Sequence, residues 1–300
     1  MRLVTYASGR AEQRIGAFLD GREHILDLQS AAELVRGQAD PRLVSMQALI
    51  EGGPEALEFA RELVAARPQK ALRETVSSRL LAPIPIPVQM RDFMVFEQHA
   101  TDSFKRQLAP VWYEQPVYYK CNRFAVQGTD ADVKWPAYSN VIDFELELAM
   151  IIGKKGVDIP KAAAREHIFG YTIFNDFSAR DAQFREMACM LGPAKGKDFD
   201  GADCIGPCIV TADEIDPYDL TMIARVNGEE WTRGHSGTMH HKFEDMIAHV
   251  SQSETLHPGE IFGSGTVGRG CGHELGRFLA KGDVVELEIE GIGILRNRVV

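Results

Sequence analysis

Two carboxylates one residue apart in an apolar segment are the side chains of this sequence best arranged for chemistry. Glu145 and Glu147 lie in the largely apolar segment 142–152. Side chains alternate across a strand, so both carboxylates share one face while Phe144 and Leu146 share the other. Two such charges repel, and either a cation between them or a proton on one of them relieves the repulsion. The spacing predicts a metal site or, alternatively, the solvated acidic face of a half-exposed strand.

Other acidic residues stand beside apolar runs. Asp176 follows the β-rich apolar run 169–174, which we expect to be a strand that ends in a polar turn. Asp92 begins another apolar run, and His99 lies seven residues later. Three or four carboxylates suit a hard cation better than zinc. We therefore expect one divalent cation, which is Mg²⁺, Mn²⁺ or Ca²⁺, held by carboxylates that converge from separate elements.

Three motifs, in chain order, resemble the fumarylacetoacetate hydrolase family. They are the segments 143–149, 169–183 and 263–266, and the resemblance covers residues 90–300. It implies an α+β, mostly β, fold: a fumarylacetoacetase-type mixed β-sandwich roll. It also implies that Glu145, Glu147 and Asp176 bind one divalent metal. Asp92 becomes a fourth ligand, because its spacing to His99 is similar to that in fumarylacetoacetase itself.

The same resemblance gives roles to residues outside the metal set. It implies that His99 is a catalytic base paired with Glu274, and that Lys197 holds developing negative charge. A His–carboxylate pair is a common way to obtain a base near neutral pH. Five residues are expected to bind the substrate: Arg180, Gln183, Tyr119, Thr266 and Arg106. Of these, Tyr119 resembles a substrate-contacting tyrosine of the family, whereas no motif fixes the position of Arg106.

These roles imply a metal-dependent hydrolase that cleaves a carbon–carbon bond in a 1,3-dicarbonyl keto acid. The substrate would be of the acylpyruvate or fumarylacetoacetate type, from aromatic compound catabolism, with a water activated by His99 and a metal-stabilised enolate as leaving group. The alternative is a decarboxylase, isomerase or hydratase that acts on a related keto acid through the same enolate. The His99 and Glu274 pair favours hydrolysis, because those reactions have less need of a base that activates water. Calcium storage without turnover is disfavoured, since the sequence has no EF-hand loop.

Composition limits the class of protein. The chain has 300 residues, 45% hydrophobic residues and a formal net charge of -10 at pH 7. This charge argues against nucleic acid as a partner and requires local cations to attract an anionic keto acid. No stretch of about 18 apolar residues occurs, so we expect no membrane association. Five cysteines without zinc spacing predict reduced thiols and a cytoplasmic protein. The family resemblance suggests a homodimer.

The sequence predicts three regions along the chain. Residues 1–80 form a small N-terminal α/β module with three short strands followed by helices, and residues 81–89 form a proline-rich linker. Residues 90–300 form the catalytic domain, which ends in a predicted hairpin of 284–290 and 294–299. The His-rich stretch 231–241 has three open interpretations: it lines the pocket, binds a further metal, or lies on the surface.

Overall fold

The computed structural model describes residues 1–8, 12–105 and 107–300. Strands dominate the catalytic region, as the alternating apolar pattern predicts. The strands are β1 Arg2–Ser8, β2 Glu12–Leu19, β3 His24–Asp27, β4 Leu72–Glu74, β5 Arg79–Leu80, β6 Met90–Phe93, β7 Tyr118–Lys120, β8 Val126–Gln127, β9 Asp132–Val133, β10 Ile142–Asp143, β11 Leu146–Ile152, β12 Ile168–Asp176, β13 Ser178–Ala179, β14 Asp203–Thr211, β15 Thr221–Val226, β16 Glu229–His235, β17 Ile261–Gly263, β18 Val284–Ile289 and β19 Gly293–Val299.

Most helices are short and connect strands. They are α1 Leu28–Arg36, α2 Met46–Glu51, α3 Gly53–Ala66, α4 Glu97–Phe104, α5 Pro110–Glu114, α6 Lys161–Ala164, α7 Arg180–Met187, α8 Ala194–Lys197, α9 Phe243–Val250 and α10 Gly272–Leu275. Within the described ranges, none of the helices combines the length and the apolar character needed to cross a membrane.

One large sheet organises the molecule. Its main path has the order β4-β3-β2-β1-β14-β12-β11-β17-β6-β7, with β5 added at β1 and β8 added at β14. A five-stranded sheet has the order β16-β15-β18-β19-β9. The hairpin of β18 and β19 confirms the pairing expected at the C-terminal end. The resulting mixed, strand-rich architecture is the α+β roll that the sequence predicts.

The N-terminal strands extend the large sheet. β1 pairs antiparallel with β14, in the register Arg2 to Val210 and Leu3 to Ile209. Leu3 and Ile209 also belong to the same buried apolar cluster. Residues 81–89 contain neither helix nor strand, as expected for their alternating prolines. The division into regions 1–80, 81–89 and 90–300 stays a prediction.

The carboxylate of Glu147 is buried because apolar side chains cover both faces of β11. Leu146 and Leu148 belong to one buried apolar cluster, whereas Ala149 and Ile151 belong to another, so both faces of β11 are covered. Glu147 shares the face of Ala149 and is fully buried. The alternative of a half-exposed acidic strand is therefore wrong, because the second apolar cluster covers the acidic face.

The strand containing the acid pair is shorter than predicted. β10 ends at Asp143 and β11 begins at Leu146, so Glu145 lies between two strands. Its N–H bonds the side chain of Asn175 at 3.0 Å, and its backbone bridges to Cys271. In contrast, β12 runs longer than expected and includes Asp176, because this residue pairs with Asp203 of β14.

The helix α4 carries His99, and the short helix α5 follows it in the chain. α5 begins with Pro110, whose fixed φ suits a first helical turn. Trp112 of α5 donates its indole N–H to the carbonyl of Met94 at 2.9 Å. His241 donates from Nε2 to the carbonyl of Trp112 at 2.6 Å. One end of the His-rich stretch therefore packs against α5, while His235 is exposed.

Candidate active site and metal centre

Four buried carboxylates meet on neighbouring strands of the large sheet. Asp92 lies on β6, Glu147 on β11 and Asp176 at the end of β12, while Glu145 precedes β11. The strands β6, β17, β11 and β12 are consecutive neighbours, which brings these side chains together. One oxygen from each carboxylate lies within 4.8 Å of the others. The structure thus groups all four predicted ligands, whose role in binding stays a prediction.

The backbone that follows β17 forms one wall of this cluster. The N–H of Gly265 donates to Asp92 Oδ1 and to Glu147 Oε2, both at 3.1 Å. Gly265 has φ +78, which favours glycine. A Cβ on Gly263 would lie 2.6 Å from Asp92 Oδ1 and 3.0 Å from Glu147 Oε2. Thr266 donates to Glu147 Oε1 at 3.5 Å. This loop therefore holds two carboxylates in place.

Two basic side chains neutralise the other carboxylates. Lys197 Nζ lies 2.7 Å from Glu145 Oε2 and 2.5 Å from Asp176 Oδ2. Arg180 Nη1 lies 2.7 Å from Glu145 Oε1. Burial opposes ionisation of Glu145, but Lys197 and Arg180 outweigh it and lower the pKa of that carboxyl. Tyr119 donates its hydroxyl to Asp176. Four carboxylates, two bases and one divalent cation would sum to zero charge.

Neighbouring positive charge does not offset the burial of Asp92, Glu147 and Asp176, so the pKa of each of these carboxyls is raised. Burial, followed by the charge of Asp176, raises the pKa of Asp92 to about 8. Burial likewise raises the pKa of Asp176 to about 6, although Lys197 acts against it. The pKa of Glu147 is raised well above its usual range by burial and by Asp92. Within the described chain, Asp176 Oδ1 is buried without a hydrogen-bond partner. This donor set fits a hard divalent cation.

A histidine and a glutamate form a pair beside the carboxylates. Nδ1 of His99 donates to Oε2 of Glu274 at 2.9 Å. Oε1 of Glu274 accepts the N–H of Arg269 at 2.9 Å. Burial opposes ionisation of Glu274, but the hydrogen bond and charge of His99 outweigh it and lower the pKa of the carboxyl. The pairing predicted from sequence is present, and it leaves Nε2 of His99 as the nitrogen available for chemistry.

Asp143 connects the metal cluster to this pair, and sequence reasoning gave it no role. Its carboxylate accepts from Arg180 Nε and Nη2 at 2.9 and 2.7 Å. It also accepts the N–H groups of Gly272 and His273 at the start of α10, at 2.7 and 2.9 Å. α10 carries Glu274, so Asp143 positions the partner of His99. One feature of the sequence could have indicated this role: Asp143 lies two residues before Glu145, so it is expected on the same face of an extended segment.

Asp203 is a second buried acid that the sequence did not single out. It lies opposite Asp176 on the neighbouring strand, and both of its side-chain oxygens lack a hydrogen-bond partner in the described chain. Burial, followed by the charge of Asp176, raises the pKa of this carboxyl. Its place beside the cluster depends on strand register, for which the sequence alone gave no signal.

A cavity of about 210 Å³ joins these groups. His99, Lys197 and Thr266 line it together with Asp92 and Glu145. The other predicted substrate contacts at the cavity are Arg180, Gln183 and Tyr119. Gln183 accepts from Arg180 at 3.0 Å. Arg106 lies outside the described residues, so its predicted contact stays a prediction.

Part of the cavity lining is apolar and includes the side chains of Met94, Val117, Phe184 and Met187. Of the His-rich stretch 231–241, no residue lines this cavity or joins a group with metal-binding geometry in the part of the chain described.

Comparison with known proteins places the chain in a family. Residues 90–300 match the family described as fumarylacetoacetate (FAA) hydrolase C-terminal. The chain belongs to the fumarylacetoacetate hydrolase family. Enzymes of this family usually use a divalent cation, which agrees with the buried acidic cluster.

Relatives within the family have different reactions. A mitochondrial oxaloacetate tautomerase of Homo sapiens is 36% identical over 304 residues, covering 100% of this chain and 92% of the relative. A mitochondrial oxaloacetate tautomerase of Xenopus laevis is 35% identical, with 100% and 90% covered. The fumarylacetoacetate hydrolase of Exiguobacterium antarcticum has a TM-score of 0.80 and 29% identity, with 100% and 99% covered. A 5-carboxymethyl-2-hydroxymuconate delta-isomerase of Mycobacterium smegmatis has a TM-score of 0.74 and 27% identity, with 100% and 99% covered.

Proposed function

We propose that this protein is a divalent-cation-dependent tautomerase that interconverts the keto and enol forms of a small 2-keto acid of the oxaloacetate type. The observation that carries the proposal is that His99, held by Glu274 through Nδ1, lines the same cavity as Asp92 and Glu145 of the carboxylate cluster. The pair does not by itself select hydrolysis, because such a base can take a proton from carbon as well as from water. A base and a cation site that face one cavity can act on adjacent atoms of one substrate. The full-length similarity to oxaloacetate tautomerases supports this choice of reaction.

Asp92, Glu145, Glu147 and Asp176 would hold the cation. When bound, the cation supplies positive charge that binds the keto acid and favours its enolate form. Three of these carboxylates lie on strands of one sheet and Glu145 directly precedes one of them, so the ion would have a rigid position. The identity of the cation, Mg²⁺, Mn²⁺ or Ca²⁺, stays open in this proposal.

His99 moves the proton. Its Nε2 takes a proton from the carbon between the two carbonyl groups and delivers a proton to the ketone oxygen, which gives the enol; the reverse transfers regenerate the keto form. Glu274 stabilises the imidazolium that forms in between and fixes the ring orientation. General acid–base catalysis of this kind contributes about 100- to 10,000-fold to the rate. Lys197 and Arg180 add positive charge beside the anionic substrate.

Hydrolysis of a carbon–carbon bond is the second candidate. The apolar lining by Met94, Val117, Phe184 and Met187 suits the acyl group of an acylpyruvate better than a second carboxylate. In this reaction His99 takes its proton from water rather than from carbon. The similarity to the Exiguobacterium antarcticum hydrolase supports this candidate. Cytoplasmic location and a homodimer remain proposals, and the tautomerases compared above are named mitochondrial.

The test separates the two reactions by their products. Purified protein with Mg²⁺ or Mn²⁺, and then with EDTA, is given enol oxaloacetate and a panel of acylpyruvates. Loss of enol absorbance is followed together with pyruvate and carboxylic acid release. The variants are His99→Ala and, as a matched control, His257→Asn, because the side chain of His257 is exposed.

A tautomerase equilibrates the enol without releasing pyruvate, and this activity is lost in EDTA and in His99→Ala. Release of pyruvate and a carboxylic acid from acylpyruvates, with the same losses, would instead establish hydrolysis. Turnover that survives His99→Ala would contradict the role of the base. Turnover that is unchanged in EDTA would contradict the role of the cation.

A further inference from the structure

A second group of metal-ligating side chains lies beside the carboxylate cluster and shares no residue with it. It consists of His99, Cys271 and Glu274, here called the thiol cluster. One donor atom from each of these residues lies within 4.8 Å of the others. The thiol of Cys271 donates to Glu274 Oε2 at 3.2 Å, and the same oxygen accepts from His99 Nδ1. A nitrogen, a sulfur and an oxygen donor therefore point at one small volume.

The separations are close to those in a zinc site. Zinc binds sulfur at about 2.3 Å and imidazole nitrogen at about 2.0 Å, so tetrahedral donors lie about 3.3 to 3.8 Å apart. The distances from Glu274 Oε2 are 2.9 Å to His99 Nδ1 and 3.2 Å to Cys271 Sγ. Insertion of an ion requires these donors to separate by a few tenths of an ångström. Three protein donors leave a fourth position for water, as in open zinc sites.

The surrounding charge favours a cation at this position. Cys271 is fully buried and His99 is 9% exposed, so charges act there with little screening from solvent. Burial is the largest cause that raises the pKa of the Cys271 thiol; the charges of Asp143, Glu274 and Glu145 add to it, while Arg180 opposes them. The charges of these three carboxylates, which disfavour a lone thiolate, attract a divalent ion. A bound zinc ion deprotonates a coordinating thiol.

We propose that His99, Cys271 and Glu274 form an inhibitory site for a thiophilic divalent cation such as Zn²⁺, separate from the carboxylate site. Binding removes the thiol proton to solvent and replaces the hydrogen bond between His99 and Glu274 with metal–ligand bonds. The hydrogen on His99 Nδ1 must leave that nitrogen before the metal can bind there. The neutral imidazole then carries its single N–H hydrogen on Nε2. The nitrogen proposed as the base then has no free lone pair. The inhibitory effect, although not the binding, rests on the function proposed above.

Binding is tested on the full-length protein with Mg²⁺ in excess, which keeps the carboxylate site occupied by a hard cation. Co²⁺ replaces Zn²⁺ as a spectroscopic probe, because a cobalt–thiolate bond gives a near-ultraviolet charge-transfer band that oxygen ligands do not give. The variants are Cys271→Ser, which keeps a hydroxyl donor for Glu274, and Cys189→Ser, which removes an exposed thiol. Zn²⁺ is then added to displace Co²⁺, and proton release is followed in weak buffer at pH 8.

We expect the band in wild type and in Cys189→Ser, its loss in Cys271→Ser, and release of about one proton per Zn²⁺ bound. The affinity for Zn²⁺ should fall more than about 100-fold in Cys271→Ser, since even partners outside the coordination shell contribute about 10- to 100-fold. A band that persists in Cys271→Ser, or no band in wild type, would overturn the site.

Inhibition is a separate readout. Zn²⁺ should inhibit wild type and Cys189→Ser equally and Cys271→Ser much less, each relative to its own activity. Equal inhibition of all three proteins would place the inhibitory ion elsewhere. If the band behaves as expected but the protein has neither proposed activity, the site stands and the proposed function fails.

Discussion

The uncompensated carboxyls of the carboxylate cluster make thermal stability depend on pH in a direction opposite to that of ion-paired carboxylates. Burial raises the pKa of Asp92 from 3.8 to about 8 when no cation is bound. Between these values the folded protein holds a proton that the unfolded chain has lost. Stability then falls as pH rises, by about 1.4 kcal/mol per pH unit for each such proton.

The expected change can be worked out for EDTA-treated protein. From pH 6 to pH 8, the Asp92 proton alone lowers the free energy of unfolding by about 2 kcal/mol, which integrates the slope until Asp92 is half ionised. For a chain of 300 residues, with an entropy of unfolding of about 2.1 cal/mol/K per residue, that corresponds to a fall in Tm of about 3 °C. Glu147, whose pKa is also raised, adds in the same direction. A cation at 100 times its Kd raises the free energy of unfolding by about 2.7 kcal/mol. At one fixed cation concentration the gain is larger at pH 8 than at pH 6, because protons compete with the cation for the carboxylates at the lower pH.

The assay is differential scanning calorimetry at pH 6, 7 and 8, in EDTA and in Mg²⁺ or Mn²⁺. Asp92→Asn should flatten the EDTA profile, because its amide does not titrate. Asp219→Asn is the matched control, since Asp219 is exposed. An EDTA profile in which Tm is flat or rises toward pH 8 would refute the reasoning. So would a profile of Asp92→Asn that runs parallel to wild type.

Two further predictions concern residues that support the site. Asp143→Asn should lower the free energy of unfolding in urea by about 3 to 5 kcal/mol, because it leaves Arg180 buried with less compensation; a loss below about 1 kcal/mol would contradict this. Gly263→Ala should weaken Mg²⁺ binding in calorimetry, because its Cβ would push against Asp92 and Glu147. Gly192→Ala is the control, since a Cβ there meets no atom within 4 Å. Equal Mg²⁺ affinity in both glycine variants would show that this wall does not shape the site.

The sequence predicted features that depend on local periodicity. The alternation around Glu145 and Glu147, and the apolar run before Asp176, indicated strands with carboxylates on a common face. The motif resemblance added the pairing of His99 with Glu274, which the structure shows at 2.9 Å. The strand features need only the two-residue period within one segment, whereas the pairing of His99 with Glu274 joins residues 175 positions apart and came from the motif resemblance.

Other features depend on which strands become neighbours. Asp203 lies beside the cluster only because β14 pairs with β12 in the register that sets it opposite Asp176. The extension of the sheet by β1 likewise requires Arg2 to meet Val210. Glu145 leaves the strand because its N–H bonds the side chain of Asn175, a tertiary contact that overrides the local pattern. Pairing register over long separations is set by packing of the whole sheet, which periodicity does not encode.

One chain of buried ion pairs links the cation site to the base. Arg180 contacts Glu145 in the carboxylate cluster through Nη1 and Asp143 through Nε and Nη2. Asp143 in turn holds the first N–H groups of α10, the helix that carries Glu274. A displacement of Glu145 therefore acts on the partner of His99 through two charged contacts. Because unpaired buried charges are costly, neither half of the site can shift without straining the other.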